Sequence, residues 1–112
     1  MNHRLMLALS AALVSVFSGA SALAVDEDAA KALLKKSDCT KCHAVEKSKK
    51  GPSYQKVAAK WKGKPDAEAK LIDNITKAPK VKLDDGTMEE HKIVDTKDPK
   101  EIKNLIEYIL SR

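Results

Sequence analysis

The sequence predicts an all-α domain of about four short helices, and three observations carry that expectation. Apolar residues recur at helical spacing in several separate stretches, and no stretch alternates apolar and polar residues as a half-buried strand does. Aromatic residues make up only 4% of the 112, few for filling the centre of a small bundle. A large apolar body that the chain itself does not supply is therefore expected at that centre.

Taken in order, the chain opens with His3-Arg4, an apolar run from Leu5 to Phe17, and Ala22-Leu23-Ala24 ahead of the acidic Asp26. A basic start, an apolar core and an A-x-A site make residues 1–24 a secretory signal peptide cut after Ala24. The apolar run is too short for the ~20 residues a bilayer-crossing helix needs, so no stable membrane insertion is expected after cleavage. What remains, residues 25–112, is one small domain, of the size at which a covalent or metal staple often supplements the core.

Within it, the first helix runs from Asp26 to Lys36, with acids at its start, Leu33 and Leu34 in its middle and Lys35-Lys36 at its end. Gly51-Pro52 marks a turn, and Ser53 is placed to cap a second helix from Tyr54 to Trp61. Asp66-Ala67-Glu68 opens a third, with Leu71, Ile72 and Ile75 on one face, and Pro79 ends it. Residues 80–97 show no period and are expected to form a long loop. Asp98-Pro99 then caps a last helix bearing Ile102, Leu105, Ile106, Ile109 and Leu110 at 3.6 spacing.

Arg4 is the only charged side chain in 1–24, so the domain keeps 20 basic residues against 16 acidic ones, a net +4. Nineteen of those 20 are lysines spread along the chain, unlike an arginine-rich nucleic-acid patch with stacking aromatics. Export also argues against nucleic acid as a partner. A lysine-rich surface suits transient docking on acidic redox proteins, although ordinary solvated helix faces also account for many lysines.

The chemistry concentrates in Cys39-Thr40-Lys41-Cys42-His43. A redox disulfide of the thioredoxin type needs its C-x-x-C at the start of a helix after a strand, and here the motif follows a helix. A structural zinc site needs four ligands, and Cys39, Cys42 and His43 leave the fourth unassigned. C-x-x-C-H is the attachment signature of c-type haem: two thiols bond one edge of the porphyrin and the adjacent histidine is held under the iron. One covalent haem c per chain fits the leader, the helix before the motif and the missing core volume together.

With these residues in view, the chain resembles the class I c-type cytochromes, small periplasmic monohaem proteins, over essentially all of residues 26–112. The resemblance rests on the helix running into CTKCH, on KKGPSYQKVAAKWKGK after it, on the helix carrying Leu71 and Ile75, and on the terminal LIEYILSR. It implies a small cytochrome c fold wrapped around the haem, with the first and last helices crossing. It also implies that Cys39 and Cys42 form the thioethers, that His43 is the proximal ligand, and that the Pro52 carbonyl steadies the His43 ring. Trp61 is expected at the haem pocket or as plain core.

The family's sixth ligand is usually a methionine followed by proline, and here Met88 is followed by Glu89. Outside the leader only Met88 and His91 are strong ligand candidates. Counting forward from His43 favours Met88 and counting back from the last helix favours the region of His91. Either would close the iron for electron transfer, so the expected function is a periplasmic one-electron carrier, not an enzyme by itself. Lys41, Lys49 and Lys50 are candidates for docking at the haem edge. A gas-binding haem sensor with a displaceable sixth ligand and a dedicated dehydrogenase subunit are the alternatives.

Overall fold

The structure is a computed structural model and describes residues 24–112; the expected signal peptide therefore lies, but for Ala24, outside the described residues. Four α-helices, α1 (Glu27–Lys36), α2 (Tyr54–Trp61), α3 (Ala67–Thr76) and α4 (Pro99–Leu110), enclose the core, with a 3-10 turn at Cys39–Lys41. Three of the four begin with a side-chain cap that satisfies an otherwise orphaned N–H. Asp26 Oδ1 accepts from Ala29 N at 3.0 Å, Ser53 Oγ from Lys56 N at 3.2 Å, and Asp98 Oδ1 from Lys100 N at 2.9 Å.

Helix α4 organises the rest. Its apolar face buries Ile102, Leu105, Ile106, Tyr108 and Ile109, and it packs against α1, α2 and α3. The α1/α4 crossing is stitched at its edge by Asn104, which accepts from Asp26 N and donates to Asp26 O, both at 2.9 Å. Leu33 and Leu34 of α1 and Tyr54 of α2 complete the same core. The helix spans agree with the sequence expectation to within a residue or two.

Residues 80–97 differ from the expected loop. They begin with an antiparallel hairpin, β1 (Lys80–Lys82) and β2 (Met88–Glu90), in the register Lys80↔Glu90, Val81↔Glu89 and Lys82↔Met88. Its reversal is local turn chemistry: Gly86 sits at φ 87° in the left-handed region, and its N–H donates to Leu83 O at 2.9 Å. Asp85 Oδ1 accepts from Thr87 N at 2.9 Å and tightens the corner. Beyond the hairpin the chain is pinned back onto the bundle, Val94 N donating to Ile75 O at 2.8 Å and Asp95 N to Ser37 Oγ at 2.9 Å.

Candidate functional site

Asp38 adopts a left-handed conformation (φ 58°) directly after α1, turning the chain into the 3-10 turn. Cys42 N and His43 N both donate to Cys39 O, at 3.2 and 3.0 Å, so the C-x-x-C-H segment is one tight turn. That turn sets Cys39, Cys42 and His43 on the wall of a single cavity of about 490 Å³. The remaining wall is mostly apolar: Leu34 from α1, Val57 and Trp61 from α2, Leu71 and Ile75 from α3, Leu105, Ile106 and Ile109 from α4.

His43 is fixed from several sides. Its Nδ1 donates to the Pro52 carbonyl at 2.6 Å, as the resemblance implied. Gly51 lies against the ring so closely that a Cβ there would stand 2.6 Å from His43 Cε1. The Tyr54 ring stacks on the imidazole, centroids 5.3 Å apart and planes 22° from parallel. Burial pushes the His43 pKa below its ordinary value; the Pro52 hydrogen bond opposes that shift, and His91 adds to it. A neutral imidazole whose Nδ1 carries the proton keeps the lone pair on Nε2, the state a metal ligand requires.

The two cysteines are not bonded to each other, each is partly buried, and burial raises the Cys39 thiol pKa. Trp61 is half-buried on the cavity wall, with Lys60 and Lys64 Nζ at 5.4 and 5.2 Å from its ring centre. Among the described residues no three His, Cys, Asp or Glu side chains gather as a site for a bare ion. Tyr54 Oη, also on the wall, is buried with no hydrogen-bond partner among the described residues. Paired thiols, a neutral imidazole and an apolar hollow with one waiting hydroxyl fit a haem bonded through its edge.

The hairpin separates the two sixth-ligand candidates. Val81 and Lys82 of β1, Leu83 just after it, Glu89 and Glu90 of β2, and His91 and Lys92 just after it line the cavity. Met88 is not on that wall, and 58% of its surface is exposed. The His43 and His91 ring centroids are 6.1 Å apart with planes at 40°.

The three lysines nominated for docking have different surroundings. Lys41 pairs with Asp38 at 3.6 Å, Lys49 Nζ donates to Thr40 O at 2.8 Å, and Lys50 stands on the cavity rim. Lys56, Lys60, Lys82 and Lys92 join Lys50 around the opening, against Asp38, Glu89 and Glu90. Asp38 is held below the usual carboxylate range, first by its hydrogen bond from Lys92 and then by the charge of Lys41.

Sequence reasoning did not foresee Gly51 and Tyr54 as contacts of His43. Gly51 read only as part of a turn, and Tyr54 only as one position of a helical stripe. The glycine was the available signal, since a ring packed on main chain often needs a residue without a Cβ.

Residues 27–112 match the family model described as cytochrome c. Over 43 residues the chain is 44% identical to cytochrome c-551 of Allochromatium vinosum and to cytochrome c-551 of Pseudomonas aeruginosa; the match covers 38% of this chain and 46% and 41% of those two. It thus spans less than half the length of these curated relatives. Among solved structures, it is similar to the class 1 cytochrome MtoD of Sideroxydans lithotrophicus ES-1, with 56% identity and a TM-score of 0.75 over 79% of this chain and 97% of that one. It also resembles cytochrome c552 of Nitrosomonas europaea, with 31% identity and a TM-score of 0.57 over 72% and 96% of the respective chains. With the family model covering nearly all the described residues and the C-x-x-C-H turn forming the cavity wall, the chain belongs to the cytochrome c family, and its cofactor is a covalently bound haem c.

Proposed function

We propose that this protein is a periplasmic one-electron carrier that exchanges electrons with redox protein partners by transient docking. One observation carries the reading: Cys39, Cys42 and His43 share a wall of one apolar cavity, and the His43 ring is already fixed by Pro52, Gly51 and Tyr54. The bound haem supplies the iron that cycles between ferrous and ferric. The chain's own contribution is to hold its surroundings still. Cys39 and Cys42 tether the cofactor edge, and the Pro52 carbonyl orients His43 and raises its basicity. The helices exclude water from the apolar side. A ligand shell that is built before the electron arrives needs little rearrangement in either redox state.

No side chain at the cavity is required as acid, base or nucleophile, so the protein is proposed to act without an enzymatic step of its own. The lysines around the opening, Lys50 and its neighbours, support docking on an acidic partner surface. The leader-like residues 1–24 support export, and among the described residues no helix is long and apolar enough to cross a membrane.

The test is expression of the full chain in a host that attaches haem in the periplasm. Haem that stays with the polypeptide through a denaturing gel, and is lost when Cys39 and Cys42 are both changed to Ala, supports the site. Reversible one-electron cycling, with exchange to an acidic redox protein that slows as salt is raised, supports the carrier role. Redox cycling without any exchange, or ferrous protein that readily takes up carbon monoxide, would instead favour a gas-binding role.

A further inference from the structure

We propose that His91 supplies the second axial nitrogen, so that the iron is held between the imidazoles of His43 and His91 and Met88 is not a ligand. The proposal rests on the haem reading above and specifies its open side.

The first support is distance. A ring nitrogen lies roughly 2.0–2.1 Å from a metal it ligates, and about 1.1 Å more reaches the ring centre. Two imidazoles on opposite sides of one metal therefore have centroids about 6.3 Å apart. His43 and His91 stand at 6.1 Å across the cavity.

The second is tautomer. His91 Nδ1 is 2.8 Å from the Lys92 carbonyl, just as His43 Nδ1 is 2.6 Å from the Pro52 carbonyl. A carbonyl only accepts, so in both rings Nδ1 is the donor and Nε2 is the nitrogen left to face a metal. An otherwise solvated surface histidine has no need of this arrangement, whereas a ligand does.

The third is placement on the hairpin. Both Glu89 and Glu90 reach the cavity, but the half-buried positions are Val81, Leu83 and His91, and His91 stands two residues beyond Val81's partner Glu89, whereas Met88 is exposed and absent from the wall. Bringing Met88 to the iron would need its exposed side chain to be carried onto a wall where it does not stand. His91 is on that wall already. Its N–H donates to Pro79 O at 2.8 Å, continuing the ladder, and Lys92 beside it pairs with Asp38 at 3.3 Å next to Cys39. The hairpin is thereby fastened to the attachment turn at the point where the ligand is presented.

The experiment uses the haem-loaded full chain with Met88→Ala, His91→Ala and His91→Gln. Covalent haem on a denaturing gel is scored first, because its absence from the wild type would overturn the haem reading itself. Given haem, the expected ferric wild-type spectrum is low-spin without the weak red charge-transfer band of sulfur-to-iron ligation. Met88→Ala leaves spectrum and potential unchanged. Both His91 variants turn high-spin or water-ligated, take up carbon monoxide when reduced where the wild type does not, and regain the low-spin spectrum on adding free imidazole. A sulfur band lost in Met88→Ala and retained in the His91 variants would overturn the proposal. Low-spin spectra unchanged in all three variants would overturn it as well, pointing to a lysine nitrogen.

Discussion

Gly51 shows how much of the site depends on a side chain that is missing. A Cβ there would lie 2.6 Å from His43 Cε1 and 3.0 Å from both ring nitrogens, well inside van der Waals contact. Elsewhere a flexible side chain would swing away, but this ring is held by the Pro52 carbonyl at Nδ1 and stacked on by Tyr54. Gly51→Ala is therefore expected to destabilise the haem-loaded protein by about 1–3 kcal/mol, the usual cost of overpacking a fixed site. Lys50→Ala next to it should stay within about 0.5 kcal/mol, as exposed substitutions do. Guanidinium unfolding of both variants, followed by haem absorbance, measures the difference. The attachment residues themselves were legible in the sequence because C-x-x-C-H is a contiguous motif whose geometry is set by one turn of chain. Which of Met88 and His91 faces the cavity was not, since they are three residues apart: in a loop or helix both can face the same point, and it takes the folded hairpin to place His91 on the wall and leave Met88 exposed.

At the scale of elements, the helices were readable because each carries redundant signals. Helix α4 has an Asp-Pro start and an apolar face over three turns, and its Asp98 cap accepts from Lys100 N as the sequence implied. Replacing Asp98 by Ala should cost about 1 kcal/mol, within the 0.5–2 range of N-cap losses. The hairpin was not readable. Lys-Val-Lys and Met-Glu-Glu are three residues each, without alternation long enough to register, and Asp84-Asp85-Gly86 marks a turn without saying what it joins. What holds the hairpin is its reversal and its attachment to the bundle, and the reversal places Gly86 at φ 87° with open space around it. Gly86→Ala meets no neighbour, so its cost is conformational, roughly 1–2 kcal/mol for an L-residue in the left-handed region. For a domain of this size that lowers Tm by about 4–8 °C per kcal/mol. Thermal melts of Asp98→Ala and Gly86→Ala, compared with the wild type, should show losses of similar size. A Gly86→Ala melt matching the wild type would mean the hairpin contributes little to holding the fold.

For the whole molecule, the decisive quantity is the size of the hollow relative to the core. The buried core is built from Ala30, Leu33, Leu34, Tyr54, Val94 and the apolar face of α4, and part of it, Leu34, Tyr54, Leu105, Ile106 and Ile109, walls a cavity of about 490 Å³. The hollow opens to solvent along its lysine-bearing rim, so its apolar wall is uncovered hydrophobic surface, and covering such surface with a cofactor stabilises by roughly 25 cal/mol per Å². Without its cofactor this arrangement of helices is therefore expected to lose stability. Changing Cys39 and Cys42 together to Ala removes the covalent attachment while leaving the helix caps and the α4 face untouched. Without haem, that variant is expected to lose most of its far-UV helical signal and its cooperative melt, and adding free haem should restore part of both by mass action. Circular dichroism before and after haem addition measures this directly. A double variant that melts cooperatively at wild-type temperature without haem would mean that α1 and α4 close the core by themselves, and that the cofactor is cargo to the fold, not part of it.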